Sequence, residues 1–286
     1  LNECLCNIRP DITISLLRRD INFINKVKDG SIKIGEIHFN KSDYRAFNDN
    51  HLPMFLQRIV KEHWRRQLIR QLRQLKRFIV LSHEDAAQWT ELNNVSVIYN
   101  PLPFYPGVSS DNSQKQVIAV GRYVPQKGFD RLIPAWKIVS EQHPDWTLRI
   151  YGDGMREKLQ QQIDSLGISS NCVLEHSVPN IVDKYCESSI FVLSSRFEGV
   201  PPVSFTCPCG PRDIITDSKD GLLVENGDIE GLAGKICYLI ENEKVRKEMG
   251  KQARINVERF KIEHVAQEWR ELFETLTKQP YSDQLS

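Results

Sequence analysis

The feature that most constrains the fold is a regular alternation of short β-rich runs and longer helical stretches from Val117 onward. The segments between the β-rich runs, "GFDRLIPAWKIVSEQH", "MREKLQQQIDSLG" and "VPNIVDKYCES", repeat apolar residues at helical spacing. This alternation is typical of βαβ units, whose strands lie parallel in one sheet. The sequence therefore predicts a doubly wound α/β domain of the nucleotide-binding type, with strands at 117–121, 147–152, 172–176, 189–195 and 202–205.

The N-terminal third predicts a second parallel domain that is incomplete. Four runs, at 11–17, 32–38, 77–82 and 95–100, can form strands, but only one long helix lies between them. The proline-rich and polar stretch Asn100–Gln114 is typical of a linker. We expect a truncated Rossmann-like domain at 1–108 and a complete one at 109–262. The latter contains a further helix at 229–241. The amphipathic segment 263–286 is expected to pack back on the N-terminal domain.

Composition excludes several classes of protein. A formal net charge of +1 argues against a nucleic-acid-binding protein. No run of about 18 apolar residues predicts a membrane-spanning helix, and no signal-peptide pattern is present, although a chain that does not begin with Met is compatible with an earlier leader. The pairs Cys4/Cys6 and Cys207/Cys209 lack a second pair at zinc-ligand spacing. We therefore expect reduced thiols, no metal and a cytoplasmic location.

One segment leaves two interpretations open. Between residues 52 and 77, apolar side chains share one helical face and Arg and Lys the other. The first interpretation is a helix packed on the core with a solvated basic face. The second is a basic amphipathic helix that contacts anionic lipid, which would make the protein peripheral to a membrane.

The strongest candidate binding residues follow the strand at 117–121. Gly121 ends that strand, so a ligand can approach the backbone at the carboxyl edge of the sheet. Arg122 and Lys127 then supply two cations at the same edge, which suits a diphosphate. Solvated surface charges are the alternative explanation for this pair.

A second glycine pair follows the next strand. Gly152 and Gly154 open a helix whose N-terminal amides could face an anion. The dinucleotide fingerprint G-x-G-x-x-G would need its third glycine at position 157, which is Glu157. This departure argues against an oxidoreductase.

In order along the chain, "VGRYVPQKGFDRLI", "YGDGMREKL", "IFVLSSRFEGVP", "CPCGPRDIITDSKDGLLVENGD" and "WRELF" resemble the motifs of family-4 glycosyltransferases. These are retaining enzymes with the GT-B fold, which consists of two Rossmann-like domains with parallel sheets. The resemblance covers about Val117 to Phe273 and, more loosely, the later strands of the acceptor-side domain. It implies a nucleotide-sugar donor, with UDP as the implied nucleotide, and a saccharide or lipid-linked saccharide acceptor, as in surface polysaccharide synthesis.

The resemblance also implies roles for individual residues. Arg122 and Lys127 match the clamp for the donor diphosphate, with no metal required. Glu198 matches the first glutamate of the family's paired-glutamate motif. His38 matches a histidine that reaches the donor sugar from the other domain, although a structural histidine at a strand end is the alternative. His176 departs from the family, which has a glycine near the nucleotide base.

The stretch from Ser194 to Asp213 departs further. The family's second glutamate would fall at Thr206, and about a dozen residues are absent near Pro201. Because a parallel crossover needs about 10–12 residues or more, we expect that the sequence omits residues present in the molecule rather than that the protein is a true deletion variant. The missing opening strands point the same way. This predicts a broken peptide link between Val200 and Pro202.

Two alternatives to a transferase remain open. The first is a non-catalytic remnant that binds a nucleotide sugar, which the incomplete motif would allow. The second is a nucleotide-sugar epimerase that shares the GT-B fold, which the "SRFEGVP" and "CPCGPRD" blocks fit less well.

Overall fold

The structure is a computed structural model that describes residues 1–17, 19–38, 41, 53–103, 105, 107–196, 203–205 and 211–278, with 203–205 described for the backbone alone. The chain divides into two compact units. Unit 1 comprises Leu1–Pro103 and Phe260–Ser286, and unit 2 comprises Phe104–Arg259. The predicted boundaries, at 108/109 and 262/263, lie a few residues from these divisions.

Unit 1 contains a four-stranded parallel sheet. Its elements in chain order are α1 (Asn2–Ile8), β1 (Ile12–Ser15), β2 (Ile32–Glu36), α2 (Met54–Leu72), β3 (Arg77–Val80), α3 (His83–Gln88) and β4 (Val95–Val97). The strands pair in the order β1-β2-β3-β4. The four strands and the long helix predicted from the sequence are therefore confirmed, whereas the short helices α1 and α3 were not predicted.

Unit 2 contains the doubly wound arrangement. Its elements are β5 (Gln116–Val120), α4 (Phe129–Gln142), β6 (Thr147–Tyr151), α5 (Arg156–Ser165), β7 (Cys172–Glu175), α6 (Ile181–Cys186), β8 (Ile190–Phe191), β9 (Val203–Phe205), α7 (Pro211–Ile214), β10 (Leu222–Val224), α8 (Ile229–Glu241) and α9 (Glu243–Asn256). Four strands form a parallel sheet in the order β7-β6-β5-β8, and β9 pairs with β10 in a separate parallel ladder.

The central position of β5 explains its composition. Val117, Ile118 and Ala119 are buried, because helices cover both faces of a parallel sheet. Such a strand has no alternation of apolar and polar residues, and its continuous apolar run made it easy to predict. In contrast, the strand predicted at 189–195 pairs with β5 only at Ile190–Phe191.

The last helix, α10 (Ile262–Lys278), belongs to unit 1. Successive residues of a strand point to opposite faces of a sheet. Phe78 packs on one face with Leu72 of α2, whereas Ile79 packs on the other face with Val265 and Leu276 of α10. The C-terminal helix thus covers a face of the unit 1 sheet that would otherwise expose apolar side chains.

Helix α2 is buried only at its C-terminal end. Ile69 and Leu72 pack in the core of unit 1. Towards the N-terminus, Phe55 is 65% exposed and Ile59 is 61% exposed. The interpretation of α2 as a core-packed helix therefore holds for its last turns, and the apolar side chains of its first turns face outward.

Candidate functional site

The candidate site begins where β5 ends, at Gly121. The aliphatic stem of Lys127 passes directly over this glycine: a Cβ built on Gly121 would lie 3.0–3.1 Å from Cγ, Cδ and Cε of Lys127. The sequence predicted that both residues lie at the carboxyl edge of the sheet, and the structure places them in contact. A side chain at position 121 would therefore displace the lysine stem.

Lys127 lies in a single 3₁₀ turn, Pro125–Lys127, between β5 and α4. The amide of Lys127 donates to the carbonyl of Val124 (3.0 Å), and the hydroxyl of Ser194 donates to the carbonyl of Lys127 (2.9 Å). At the following Gly128, a Cβ would lie 2.0 Å from the carbonyl oxygen of Ser194. The turn that carries Lys127 is thus packed tightly against the chain that leaves β8.

Arg122 supplies the second cation of the candidate site. It follows Gly121 directly and is exposed. Within the part of the chain that the structure describes, its guanidinium has no hydrogen-bond or ion-pair partner. The carboxyl end of β5 therefore carries two basic side chains within a few residues, in an arrangement that suits an anion such as a diphosphate.

Gly152 and Gly154 lie at the same edge, after β6, and close backbone packing requires both of them. A Cβ on Gly152 would lie 1.9 Å from the carbonyl oxygen of Gly121. Gly154 has a φ of +132° and pairs with Tyr123, whose carbonyl oxygen would lie 2.8 Å from an added Cβ. No residue with a side chain fits either position without a shift of the backbone.

The amides near the start of α5 already have partners. Met155 N–H donates to the carbonyl of Tyr123 (2.9 Å), and Arg156 N–H donates to the carbonyl of Gly154 (2.8 Å). The two glycines thus fix the ends of β5 and β6 against each other. A direct contact between these glycines and a ligand stays a prediction.

A polar cluster follows β7 at the next position along the edge. Nδ1 of His176 lies 3.0 Å from Oδ1 of Asp153, and the hydroxyl of Ser177 donates to the same carboxylate. These hydrogen bonds, that from Ser177 first, lower the pKa of Asp153. At the position where the resemblance to family 4 implies a glycine, this chain has an imidazole hydrogen-bonded to Asp153, between Gly152 and Gly154.

Of the two predicted catalytic residues, the structure describes His38 and does not describe Glu198. Nε2 of His38, just after β2 in unit 1, lies 3.0 Å from Oε1 of Glu36, and its side chain is 41% exposed. Glu198 lies outside the described residues, as do Thr206 and the Val200–Pro202 link. The catalytic roles of His38 and Glu198 stay predictions.

Arg196, which no sequence pattern singled out, makes several polar contacts beside the turn that carries Lys127. Its guanidinium donates two bonds to the carboxylate of Asp130, at 2.8 and 2.6 Å, and one to the carbonyl of Pro125 at 2.6 Å. The hydrogen bond from Arg196 lowers the pKa of Asp130. The only sequence signal was the position of Arg196 in the same motif as Glu198.

Four arginines line a shallow groove on unit 1 at and just after α2. Arg65, Arg66, Arg70 and Arg73 line it together with Glu91. Hydrogen bonds from Arg65 and Arg66 lower the pKa of Glu62 to about 2, so this carboxylate stays ionised at neutral pH. More positively charged than negatively charged side chains therefore line the groove.

Within the described ranges there is no group of three or more His, Cys, Asp and Glu side chains that could hold a metal ion. Among the helices described, none has the length and apolar character needed to cross a membrane.

The fold is of the GT-B class, which combines two α/β units with parallel sheets. The chain belongs to the family of glycosyl transferases group 1, whose model matches residues 106–256. Poly(ribitol-phosphate) α-N-acetylglucosaminyltransferase of Staphylococcus aureus is 26% identical over 253 residues, which cover 82% of this chain and 51% of the relative. The amylovoran biosynthesis glycosyltransferase AmsD of Erwinia amylovora is 29% identical over 220 residues, or 69% of this chain and 62% of the relative.

A solved structure gives the same picture. A variant of S. aureus TarM in complex with fondaparinux, α-GlcNAc-glycerol and UDP superposes with a TM-score of 0.67 at 25% identity, covering 85% of this chain and 51% of that one. The chain therefore spans about half the length of TarM.

Proposed function

We propose that the protein is a retaining glycosyltransferase that moves a sugar from a UDP-sugar to a saccharide or lipid-linked saccharide acceptor in surface polysaccharide synthesis. The observation that carries this proposal is the contact between Gly121 and the stem of Lys127, with Arg122 beside them, at the carboxyl edge of β5. Membership of the group 1 family and the UDP named in the TarM complex support the choice of donor.

The chemistry follows from where charge develops. When the bond between the anomeric carbon and the phosphate oxygen breaks, the departing UDP gains negative charge. Cations fixed at that place before the reaction bind the transition state more strongly than the ground state, and this difference accelerates the reaction. Lys127, held by its turn and by Gly121, and Arg122 would supply this charge without a metal ion.

Retention in a single displacement step requires the acceptor oxygen to attack from the face that the diphosphate leaves. In this front-face transfer the acceptor hydroxyl loses its proton to an oxygen of the departing diphosphate, and the new bond forms at the same anomeric carbon. The donor and the acceptor therefore account for the charge, the proton and the leaving group, and no further reactant is needed. The resemblance to family 4 assigns Glu198 and His38 to the donor sugar, and this assignment is part of the proposal.

The experiment that tests the proposal is a panel of UDP-, GDP-, ADP- and dTDP-sugars incubated with the protein in EDTA. We expect slow release of nucleoside diphosphate and free sugar, because transferases slowly hydrolyse their donor when water takes the place of the acceptor. Formation of the 2-epimer would favour the epimerase. No turnover of any donor, together with measurable nucleotide binding, would favour the remnant.

A second part of the proposal concerns contact with an anionic membrane surface through α2, where a lipid-linked acceptor would be anchored. This helix carries five basic residues and one acidic residue, and its first turns expose Phe55 and Ile59. Exposed apolar side chains beside arginines suit the boundary between lipid headgroups and acyl chains. Each basic residue near an anionic surface contributes about 1 kcal/mol.

Sedimentation with lipid vesicles tests this contact. We expect binding to vesicles that contain anionic lipid, a steep loss of binding above about 0.15 M salt, and weaker binding for both Arg70→Ala and Phe55→Ala. Lys115→Ala in unit 2 is the matched control for loss of one charge. Equal binding to neutral and anionic vesicles would leave only a solvated basic face.

A further inference from the structure

Arg196 contacts the chain on both sides of Lys127. Before the lysine, its guanidinium donates to the carbonyl of Pro125 (2.6 Å), and its backbone N–H donates to the carbonyl of Gln126 (2.8 Å). After the lysine, the guanidinium binds both carboxylate oxygens of Asp130 in the first turn of α4. One side chain thus spans the whole 3₁₀ turn.

Arg196 is itself held from a third direction. Its carbonyl accepts a hydrogen bond from Nδ2 of Asn226 (3.4 Å), and Oδ1 of Asn226 accepts one from Nη1 of Arg131 (2.9 Å). Ser194, two residues earlier, binds the carbonyl of Lys127. The segment that leaves β8 is therefore joined to the Lys127 turn by side chains and by backbone together.

We infer that Arg196 is a positioning residue that acts through Lys127: it fixes the turn that presents the lysine to the donor. This inference rests on the proposed function. A two-pronged bond between guanidinium and carboxylate restricts orientation as well as distance. An exposed ion pair contributes little to global stability, so a set of contacts this dense is better explained by local geometry.

The kinetic arm of the test compares Arg196→Ala with the wild type at saturating donor. We expect kcat to fall on the order of tenfold, because a displacement of about 1 Å at a catalytic group costs about a hundredfold and the turn keeps its other contacts. KM should change less, and the melting temperature should stay within about 4 °C. Arg196→Lys, which keeps the charge but loses the fork, should recover part of the loss.

A double-mutant cycle separates positioning from a general structural role. In a Lys127→Ala background, Arg196→Ala should cause little further loss of kcat, because the residue through which it acts is gone. Lys115→Ala, which removes an exposed ion pair with Asp145 beside the amino end of β5, is the control and should leave kcat unchanged. If the fold losses of kcat from Lys127→Ala and Arg196→Ala multiply in the double mutant, the inference is overturned.

Hydrogen exchange gives a readout that does not need activity. The amides of Lys127 and Gly128, which donate to Val124 and Pro125, should exchange faster in Arg196→Ala than in the wild type, whereas Lys115→Ala should leave them unchanged. Unchanged exchange at these amides would overturn the inference even in an active enzyme. If the wild type cleaves no donor, the proposed function fails, and the exchange result still decides whether Arg196 holds the turn.

Discussion

Gly121→Ala gives the sharpest test of the contact between Gly121 and Lys127. The new Cβ would meet the lysine stem at 3.0–3.1 Å, whereas ordinary van der Waals contact begins at 3.4 Å, so the stem must move by about 0.3–0.4 Å. If 1 Å of misplacement costs about a hundredfold in rate, this shift predicts a fall in kcat of about fivefold. That loss corresponds to about 1 kcal/mol of transition-state stabilisation.

The assay is steady-state donor hydrolysis with a thermal melt for each variant. The melting temperature should hardly change, because alanine can adopt the backbone conformation of Gly121. The flexible side chain of Lys127 can also move to accommodate the new methyl group. In a Lys127→Ala background the same substitution should have no effect on kcat. Gly152→Ala is the contrast: its Cβ would lie 1.9 Å from a backbone oxygen, so it should destabilise the fold. An unchanged kcat, or an equal loss without Lys127, would refute the reasoning.

Three further predictions follow from the same region. Lys127→Ala and Arg122→Ala should each lower turnover on the order of a hundredfold with the fold intact, by analogy with loss of one preorganised charge-stabilising donor, and a steady-state assay showing near-normal turnover would remove them from the mechanism. Gly154→Ala, at a φ of +132°, should lower the free energy of unfolding by about 2–4 kcal/mol; an unchanged urea midpoint would contradict this. The pKa of Asp130 is lowered by its bond to Arg196, so the pair stabilises the fold above about pH 4 and loses this contribution as pH falls through the lowered value. The difference in unfolding free energy between wild type and Asp130→Asn should therefore be at most about 1 kcal/mol near neutral pH and disappear in acid, and a difference that grew on acidification would contradict the account.

Much of the sheet in unit 2 could be predicted because buried parallel strands are continuous apolar runs. The observed β5, β6 and β7 agree with the predicted strands to within a residue at most ends. Helix α9 was not predicted, since Arg246 occupies a buried position on its inner face. Its guanidinium binds the carbonyls of Ile240 and Asn112 and lies 5.3 Å from the ring of Trp146. An arginine at a core position interrupts the regular spacing of apolar residues from which an amphipathic helix is predicted.

Part of the candidate site could likewise be predicted from the sequence, and part could not. The topology of parallel sheets places Gly121 and Lys127 at one edge, so their proximity could be predicted from spacing. The need for glycine at positions 121, 152 and 154 could not be predicted, because it depends on a neighbouring strand or turn that approaches within van der Waals distance. The bond between Arg196 and Asp130 joins residues that are distant in sequence, and no local pattern predicts such a pair.

We propose that the edge of β5 holds a nucleotide sugar while its glycosidic bond breaks with retention. Real-time proton NMR of a UDP-sugar incubated with the protein in EDTA tests this most directly. We expect the sugar to appear first with the anomeric configuration of the donor, before mutarotation, and Lys127→Ala to slow its release about a hundredfold. Release of the opposite anomer, or cleavage that does not depend on Lys127, would contradict it.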